Sequence, residues 1–446
     1  MGKTLIFRLK EKTKIFKRFN SKLTFFLLLL LLFFPILPYN ISSILLICFS
    51  FLSIAFNWRY GLRNLKQGKY KYLLINNLFI VLITFTLLYT ANLNAGFKKI
   101  NTLLPFIISP LIIVYLQRKY SENEYFLFYL FFILSNFLFL IFTLYYFLHY
   151  SVEHCFYDIS ELSLFEKIPY VWDNEFKTFL WCAEQKKEPF FMLHKTYNSI
   201  NLLIASLFII QLYFKRNNSI ITKLILLLLL AVFLISIIYF KSLTVIFLVV
   251  TILPINILFL KYNKKLAAFL SGVIVLIIIS AVIVKKDVVI NNFKKETIQN
   301  QDGLEESDLN GISERFFLNK TSTKVISKSP IFGYGIGDVQ DQLNDQNFAN
   351  SKTTKQYLKF YLNKLNSHNY YYNLILIGGP LLLISFIFMM YYNMGMAIKN
   401  KEYSYLSFLI IIVICLFFEN LFDRMTGVLS FTLINSLLAK NIFDRK

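Results

Sequence analysis

The chain has 446 residues, of which 57% are hydrophobic, and its mean hydropathy is +0.56. A soluble core of this size could not bury that much apolar surface, so the composition excludes an ordinary soluble protein and predicts a polytopic membrane protein. The net charge of +22 does not indicate nucleic-acid binding, because the Lys and Arg residues fall in short runs between apolar segments.

Apolar runs of membrane-spanning length predict an all-α fold with about twelve transmembrane helices. Five lie in residues 1–149, four in 193–284 and three in 372–446. The first run has the length of a span and no small-residue cleavage site, so we expect it to remain as an anchor. The predicted spans centre near Leu30, Cys48, Ile83, Ile108, Phe132, Leu207, Leu229, Leu248, Ile274, Leu382, Ile412 and Ser430.

The basic residues predict the orientation, since short cytoplasmic loops are enriched in Lys and Arg. The N-terminal tail and alternate connections are basic, which predicts two cytoplasmic termini and two long outer loops, residues 150–192 and 285–371. Lys98 and Lys99 are an exception, because they fall in a short outer connection. Cys155 and Cys182 share the first outer loop, where an oxidising compartment would let them pair; the sequence leaves that disulfide open.

The second outer loop contains most of the chemically suggestive residues. Residues 312–330 predict a short amphipathic helix, and a second polar helix is predicted at about Gln356 to Leu365. Between them, Gly333 and Gly335 lie in a tight turn that either binds phosphate through backbone N–H groups or folds the loop back onto the membrane. His368 then stands where the chain re-enters the bilayer, and polar groups there are costly enough to indicate function.

Five segments together resemble one family. They are PIFGYGIGD (330–338), SHNYYYNLILIGGPLLL (367–383), HKTYN (194–198), FKS (240–242) and ENLFDRMTGV (419–428). Their order and setting are similar to the O-antigen ligase and Wzy-type polymerase family of bacterial envelopes. The sequence departs from the family pattern at Lys241, where Arg is usual, and at His194, where many members have Arg.

The resemblance implies a glycosyltransferase of the bacterial inner membrane that needs no metal or other cofactor. Its donor would be a glycan on undecaprenyl diphosphate, and its acceptor a sugar hydroxyl on lipid A core or on another lipid-linked glycan. His368 suits the general base and Arg315 suits a diphosphate clamp, because a guanidinium binds phosphate oxygens as a fork. The resemblance also assigns substrate contacts to Lys241, His194, Lys195, Asn369, Gly333 and Gly335.

Other functions remain open at this point. A Wzy-type polymerase would use the same donor and chemistry, and a chain-length regulator is then a candidate partner. A lipid-linked glycan flippase would also have about twelve spans, but it would place charged or broken-helix sites near the middle of them. A purely structural subunit would not need His368 and Arg315 on one side of the membrane.

Overall fold

The computed structural model describes residues 22–64, 69–115, 119–154, 195–215, 219–240, 242–259, 272, 311–352 and 356–445. Within these ranges every regular element is helical and no strand occurs, as the predicted fold class requires. Two short 3-10 helices, Thr86–Leu88 and Leu421–Asp423, accompany the α-helices. The α-helices are α1 (Lys22–Leu31), α2 (Tyr39–Asn64), α3 (Tyr70–Phe85), α4 (Leu93–Leu103), α5 (Pro105–Tyr115), α6 (Glu122–His154), α7 (Lys195–Lys215), α8 (Ile220–Tyr239), α9 (Leu243–Phe259), α10 (Gly311–Lys328), α11 (Val339–Ser351), α12 (Gln356–Leu362), α13 (Tyr370–Lys399), α14 (Tyr403–Cys415) and α15 (Met425–Arg445).

Five helical segments are long and apolar enough to cross a membrane, and each contains one predicted span centre: Tyr70–Leu88, Glu122–Leu144, Thr196–Phe214, Ile220–Tyr239 and Tyr370–Lys399. Four shorter apolar helices contain four more centres: Lys22–Leu31, Asn40–Ala55, Leu243–Phe259 and Tyr403–Cys415. Two centres fall in α5 and α15, and the one at Ile274 lies outside the described residues. The total of about twelve spans and the placement of the loops remain predictions.

The chain forms two compact units. The first consists of Met1–Leu73, Ile108–Ser242 and Thr432–Lys446. Its central helix is α7, which packs against both α6 and α8 and is buried along nearly its whole apolar length. Tyr129 and Phe208 pack with ring centroids 4.6 Å apart. The polar side chains of this helix are buried together with the apolar ones, so the helix is packed on all sides.

The second unit consists of Leu74–Ile107 and Leu243–Phe431, and it contains the residues around His368. Phe106, Phe386 and Phe422 form an aromatic cluster in its apolar part, with the rings of Phe106 and Phe422 edge to face at 5.1 Å. Asn76 and Asn393 pair through their side-chain amides at 2.9 Å, which satisfies two polar groups inside an apolar region.

Within this unit, α10, α11 and α12 form a small helical layer. Leu318, Tyr357 and Phe360 are its buried core, and Phe317 packs against them. This core fixes the orientation of α10. The sequence predicted α10 and α12 at close to their observed positions; α11 was not predicted.

Helix α13 is broken in its first half. Gly378 has φ −142° and Gly379 has φ 68°, so neither residue continues the helix. Pro380 follows and has no N–H to donate to the carbonyl of Leu376. The break therefore leaves two carbonyl groups, those of Leu376 and Ile377, without their usual helical donors, and an unpaired carbonyl in hydrocarbon costs several kcal/mol.

The glycine-rich turn after α10 supplies the missing donors. The N–H groups of Tyr334 and Gly335 donate to the carbonyls of Leu376 and Ile377 at 2.7 and 2.9 Å. A Cβ on Gly333 would lie 2.5 Å from the Leu376 carbonyl oxygen, which explains why this position has no side chain. The turn and the helix break thus complete each other's hydrogen bonds.

The same turn is tied to the segment that joins α3 and α4. The N–H groups of Ile336 and Gly337 donate to the hydroxyls of Thr86 and Thr90 at 3.1 and 2.9 Å. Asp338 accepts from the backbone N–H groups of residues 91 and 92, both at 2.7 Å. These bonds fix the start of α4 relative to the loop.

Candidate active site

His368 occupies a strained loop position at the entrance to α13. Its φ is 46°, in the left-handed region that residues other than glycine rarely adopt. Its N–H donates to the Asn366 side chain at 3.0 Å. Asn369 caps α13, because its side-chain oxygen accepts from the N–H groups of Tyr371 and Tyr372 at 3.0 and 3.2 Å. Both flanking asparagines therefore serve to fix the histidine backbone.

Glu419 joins the two residues that the sequence assigned to catalysis. One carboxylate oxygen lies 3.3 Å from Nδ1 of His368, and the other lies 3.3 Å from Nη2 of Arg315. The Glu419 side chain is only 8% exposed, whereas those of Arg315 and His368 are 30% and 25% exposed. The carboxylate is thus enclosed, while the imidazole and the guanidinium both reach open space.

The segment from Glu419 to Asp423 makes further bonds to the histidine loop. The Asn420 amide donates to the Ser367 hydroxyl at 3.1 Å. Asp423 accepts from the side-chain amides of Asn366 and Asn373 at 3.2 and 3.3 Å. The segment after α14 therefore fixes residues 366–373 in place. We call this segment the acidic bracket (residues 419–423).

Arg315 reaches this site from the second turn of α10. Its guanidinium lies over the ring of Phe418, with 5.9 Å between the guanidinium carbon and the ring centroid. A guanidinium has five N–H donors, and among the described residues only the Glu419 carboxylate accepts from it. The remaining donors are available to a phosphate.

The second carboxylate of the bracket has a distinct electrostatic setting. The Asp423 side chain is exposed to solvent, and the protein packed around its carboxyl nevertheless raises the pKa of that group. The positive charge of Lys99, a hydrogen bond from Asn420, the charge of His368 and a hydrogen bond from Asn366 all oppose that rise. The ionised form of Asp423 is therefore disfavoured by its surroundings and stabilised by cations and amides from several elements.

Of the other predicted site residues, the structure describes the two glycines fully and most of the rest not at all. The N–H groups of residues 334–337 all donate to protein acceptors, so the geometry favours the folding role for the turn at Gly333 and Gly335. His194, Lys241, Cys155 and Cys182 lie outside the described residues. Of Lys195 the structure describes only the backbone, at the first position of α7.

Sequence reasoning missed Glu419 and Asp423 as site residues. Their only sign in the sequence is weak: they are two carboxylates in a short polar stretch between apolar segments. That stretch is part of ENLFDRMTGV, one of the segments that resemble the family. In the described part of the chain, no three His, Cys, Asp or Glu side chains stand close enough together to bind a metal ion.

In the residues that the structure describes, fold and site are those of a helical membrane protein with a histidine, a carboxylate and an arginine gathered at one end of an apolar helix of spanning length. The family model described as O-antigen ligase matches residues 229–387, a range that includes Arg315 and His368 and ends before the acidic bracket. The match agrees with the resemblance seen in the sequence: residues 229–387 are similar to the O-antigen ligase domain. No curated protein matches the chain.

Proposed function

We propose that this protein transfers a glycan from an undecaprenyl-diphosphate-linked donor to an acceptor hydroxyl at the outer face of the bacterial inner membrane. The observation that supports it best is the single carboxylate, Glu419, that contacts both His368 and Arg315. His368 is a candidate base and Arg315 a candidate anion-binding group, and glycan transfer from a diphosphate needs both functions.

The proposed step begins with His368. In the tautomer whose Nδ1–H donates to Glu419, the lone pair of Nε2 is free to accept the proton of the acceptor hydroxyl. The hydroxyl oxygen then forms a bond to the anomeric carbon of the donor sugar. The bond from that carbon to the diphosphate oxygen breaks, and its electron pair leaves with the diphosphate.

Arg315 is proposed to bind the diphosphate as its negative charge increases. Because one guanidinium nitrogen already contacts Glu419, the fork is oriented before the substrate arrives, and less entropy is lost on binding. Lys241, Lys195 and His194 are proposed as further diphosphate contacts. Asn369 is proposed to act through the helix cap that fixes His368.

Ligation is the proposed reaction type, with lipid A core as the acceptor, since the matching family model bears that description. Polymerisation, with a second lipid-linked glycan as the acceptor, uses the same site and is the alternative that the experiment distinguishes. No cofactor takes part in the proposed step. The active site is proposed to face the periplasm, and both termini the cytoplasm.

The test is transfer by the purified protein in liposomes, with labelled undecaprenyl-diphosphate glycan as the donor. Lipid A core is present in one set of reactions and absent in the other, and a chelator is added to parallel reactions. The proposal predicts labelled lipid A core only when that acceptor is present, with or without chelator. Lengthened lipid-linked glycan instead would establish a polymerase, and no transfer to either acceptor would contradict the proposal.

A further inference from the structure

The predicted membrane topology does not explain why a lysine stands at position 99. It lies with Lys98 in a predicted outer connection, where Lys is disfavoured relative to cytoplasmic loops. Both residues are on α4, whose first turn is capped by the Asn92 side chain. Asn92 is also bound to Asp338 through its backbone N–H. The helix that presents Lys99 is therefore fixed to the same turn that closes the break in α13.

Helix α4 packs against the 3-10 helix Leu421–Asp423, which ends the acidic bracket. Lys99 is half-buried on this helix, and its positive charge opposes the effect of burial on the pKa of Asp423 more than any other group does. The charge of His368 also lowers the pKa of the same carboxyl. One aspartate thus has the candidate base and a lysine of α4 as electrostatic neighbours.

In the described part of the chain, Lys99 forms no ion pair with Asp423. The Asp423 oxygens accept from Asn366 and Asn373, and no hydrogen bond or ion pair joins Lys99 to any residue in the described ranges. An ammonium has three donors. The donors of Lys99 are therefore available to a ligand.

The negative charge of the site, once a diphosphate is bound, exceeds what Arg315 alone can offset. Glu419 and Asp423 place two carboxylates next to the position proposed for the diphosphate, and like charges at short range repel. Arg315 is already shared with Glu419. A second cation, on α4, would offset the remaining negative charge.

We propose that Lys99 is a substrate-binding residue whose ammonium contacts the diphosphate of the lipid-linked donor, together with Arg315. The inference rests on the proposed function and adds a named residue, on a separate helix, to the donor site. Lysine suits this role because it acts as a mobile point charge and needs no fixed geometry. Lys98, one position along α4 and therefore turned by about 100° around the helix axis, is exposed and does not take part.

The test compares Lys99→Gln, Lys99→Arg and Lys98→Gln with wild type in liposomes at saturating acceptor. For Lys99→Gln we expect the donor KM to rise on the order of tenfold with little change in kcat. Lys99→Arg should retain most of the affinity, and Lys98→Gln should behave as wild type. A drop in kcat at unchanged KM would mean that Lys99 acts only through Asp423, and would overturn the proposal.

A binding measurement separates this inference from the proposed function. Undecaprenyl diphosphate without glycan is titrated into the purified full-length protein and its binding followed by native mass spectrometry. Lys99→Gln should bind it on the order of tenfold more weakly than wild type and Lys98→Gln, while undecaprenol shows no difference among the three. Equal affinity of all three for the diphosphate would refute the role of Lys99, whether or not the wild type transfers glycan.

Discussion

Replacing Glu419 by Gln removes one negative charge from the centre of the site and leaves its shape nearly unchanged. We expect Glu419→Gln to lower the rate of glycan transfer about thirtyfold. The carboxylate makes two charge-assisted contacts, one to His368 and one to Arg315, each at 3.3 Å. An amide presents its oxygen to one of these partners and its nitrogen to the other, and the nitrogen cannot accept.

The magnitude follows from those two contacts. A hydrogen bond to a charged group contributes about 1.5 to 3 kcal/mol when it is well formed and enclosed. These two are long, and Arg315 and His368 are each about a quarter exposed, so about 1 kcal/mol each is appropriate. The total of about 2 kcal/mol corresponds to about thirtyfold, at 1.36 kcal/mol for each factor of ten.

The assay is the initial rate of transfer by purified protein, resolved into kcat and donor KM. We expect kcat to decrease, because the imidazole loses its orienting partner, and KM to increase, because the guanidinium is less well positioned. Glu314→Gln is the matched control: it removes the same charge from the residue next to Arg315, and no contact to the site involves it. A Glu419→Gln rate within twofold of wild type, with Glu314→Gln also unaffected, would refute the role of the bridge.

Three other predictions concern the clamp, the helix break and the topology. Arg315→Lys keeps the charge but loses the fork, so transfer should decrease by at least tenfold while the amount of membrane-inserted protein is unchanged; wild-type turnover would contradict the clamp. Gly379→Ala should lower the unfolding temperature in detergent, because φ is 68° and the new Cβ would collide with the carbonyl oxygen of residue 331, a strain of about 1 to 2 kcal/mol before the collision is counted. Gly395→Ala, in open space on the same helix, should be neutral or stabilising, and equal shifts for both would refute the argument. A topology reporter after Asn350 should be active outside and one after Lys264 inside; activity of both on one side would contradict the orientation.

Much of the fold could be predicted from local patterns. Apolar runs located the five helical segments that are long enough to span, and helix start and stop signals located α10 and α12. Helix α11 was missed because its sequence, VQDQLNDQNFANS, has few apolar residues and no clear helical period. Its position depends on packing between α10 and α12, which a local pattern does not reveal.

The candidate site was predictable only in part, because its contacts are long-range. His368 and Arg315 were identified from their setting in one loop. Their common partner, Glu419, is 51 residues from the first and 104 from the second. The role of the glycine turn could not be predicted from the sequence either. The donors for the carbonyls of Leu376 and Ile377 can be assigned only when the positions of the turn and of α13 are known.

The central claim is that His368 is the general base, and the most direct measurement is transfer by His368→Gln. The purified variant is compared with wild type in liposomes that contain labelled undecaprenyl-diphosphate glycan and acceptor, and donor binding is measured in the same preparation. Removal of a general base costs about a hundred- to ten-thousandfold in rate. The account predicts a loss of that size with donor affinity within a few-fold of wild type. Near-normal transfer by His368→Gln would contradict it.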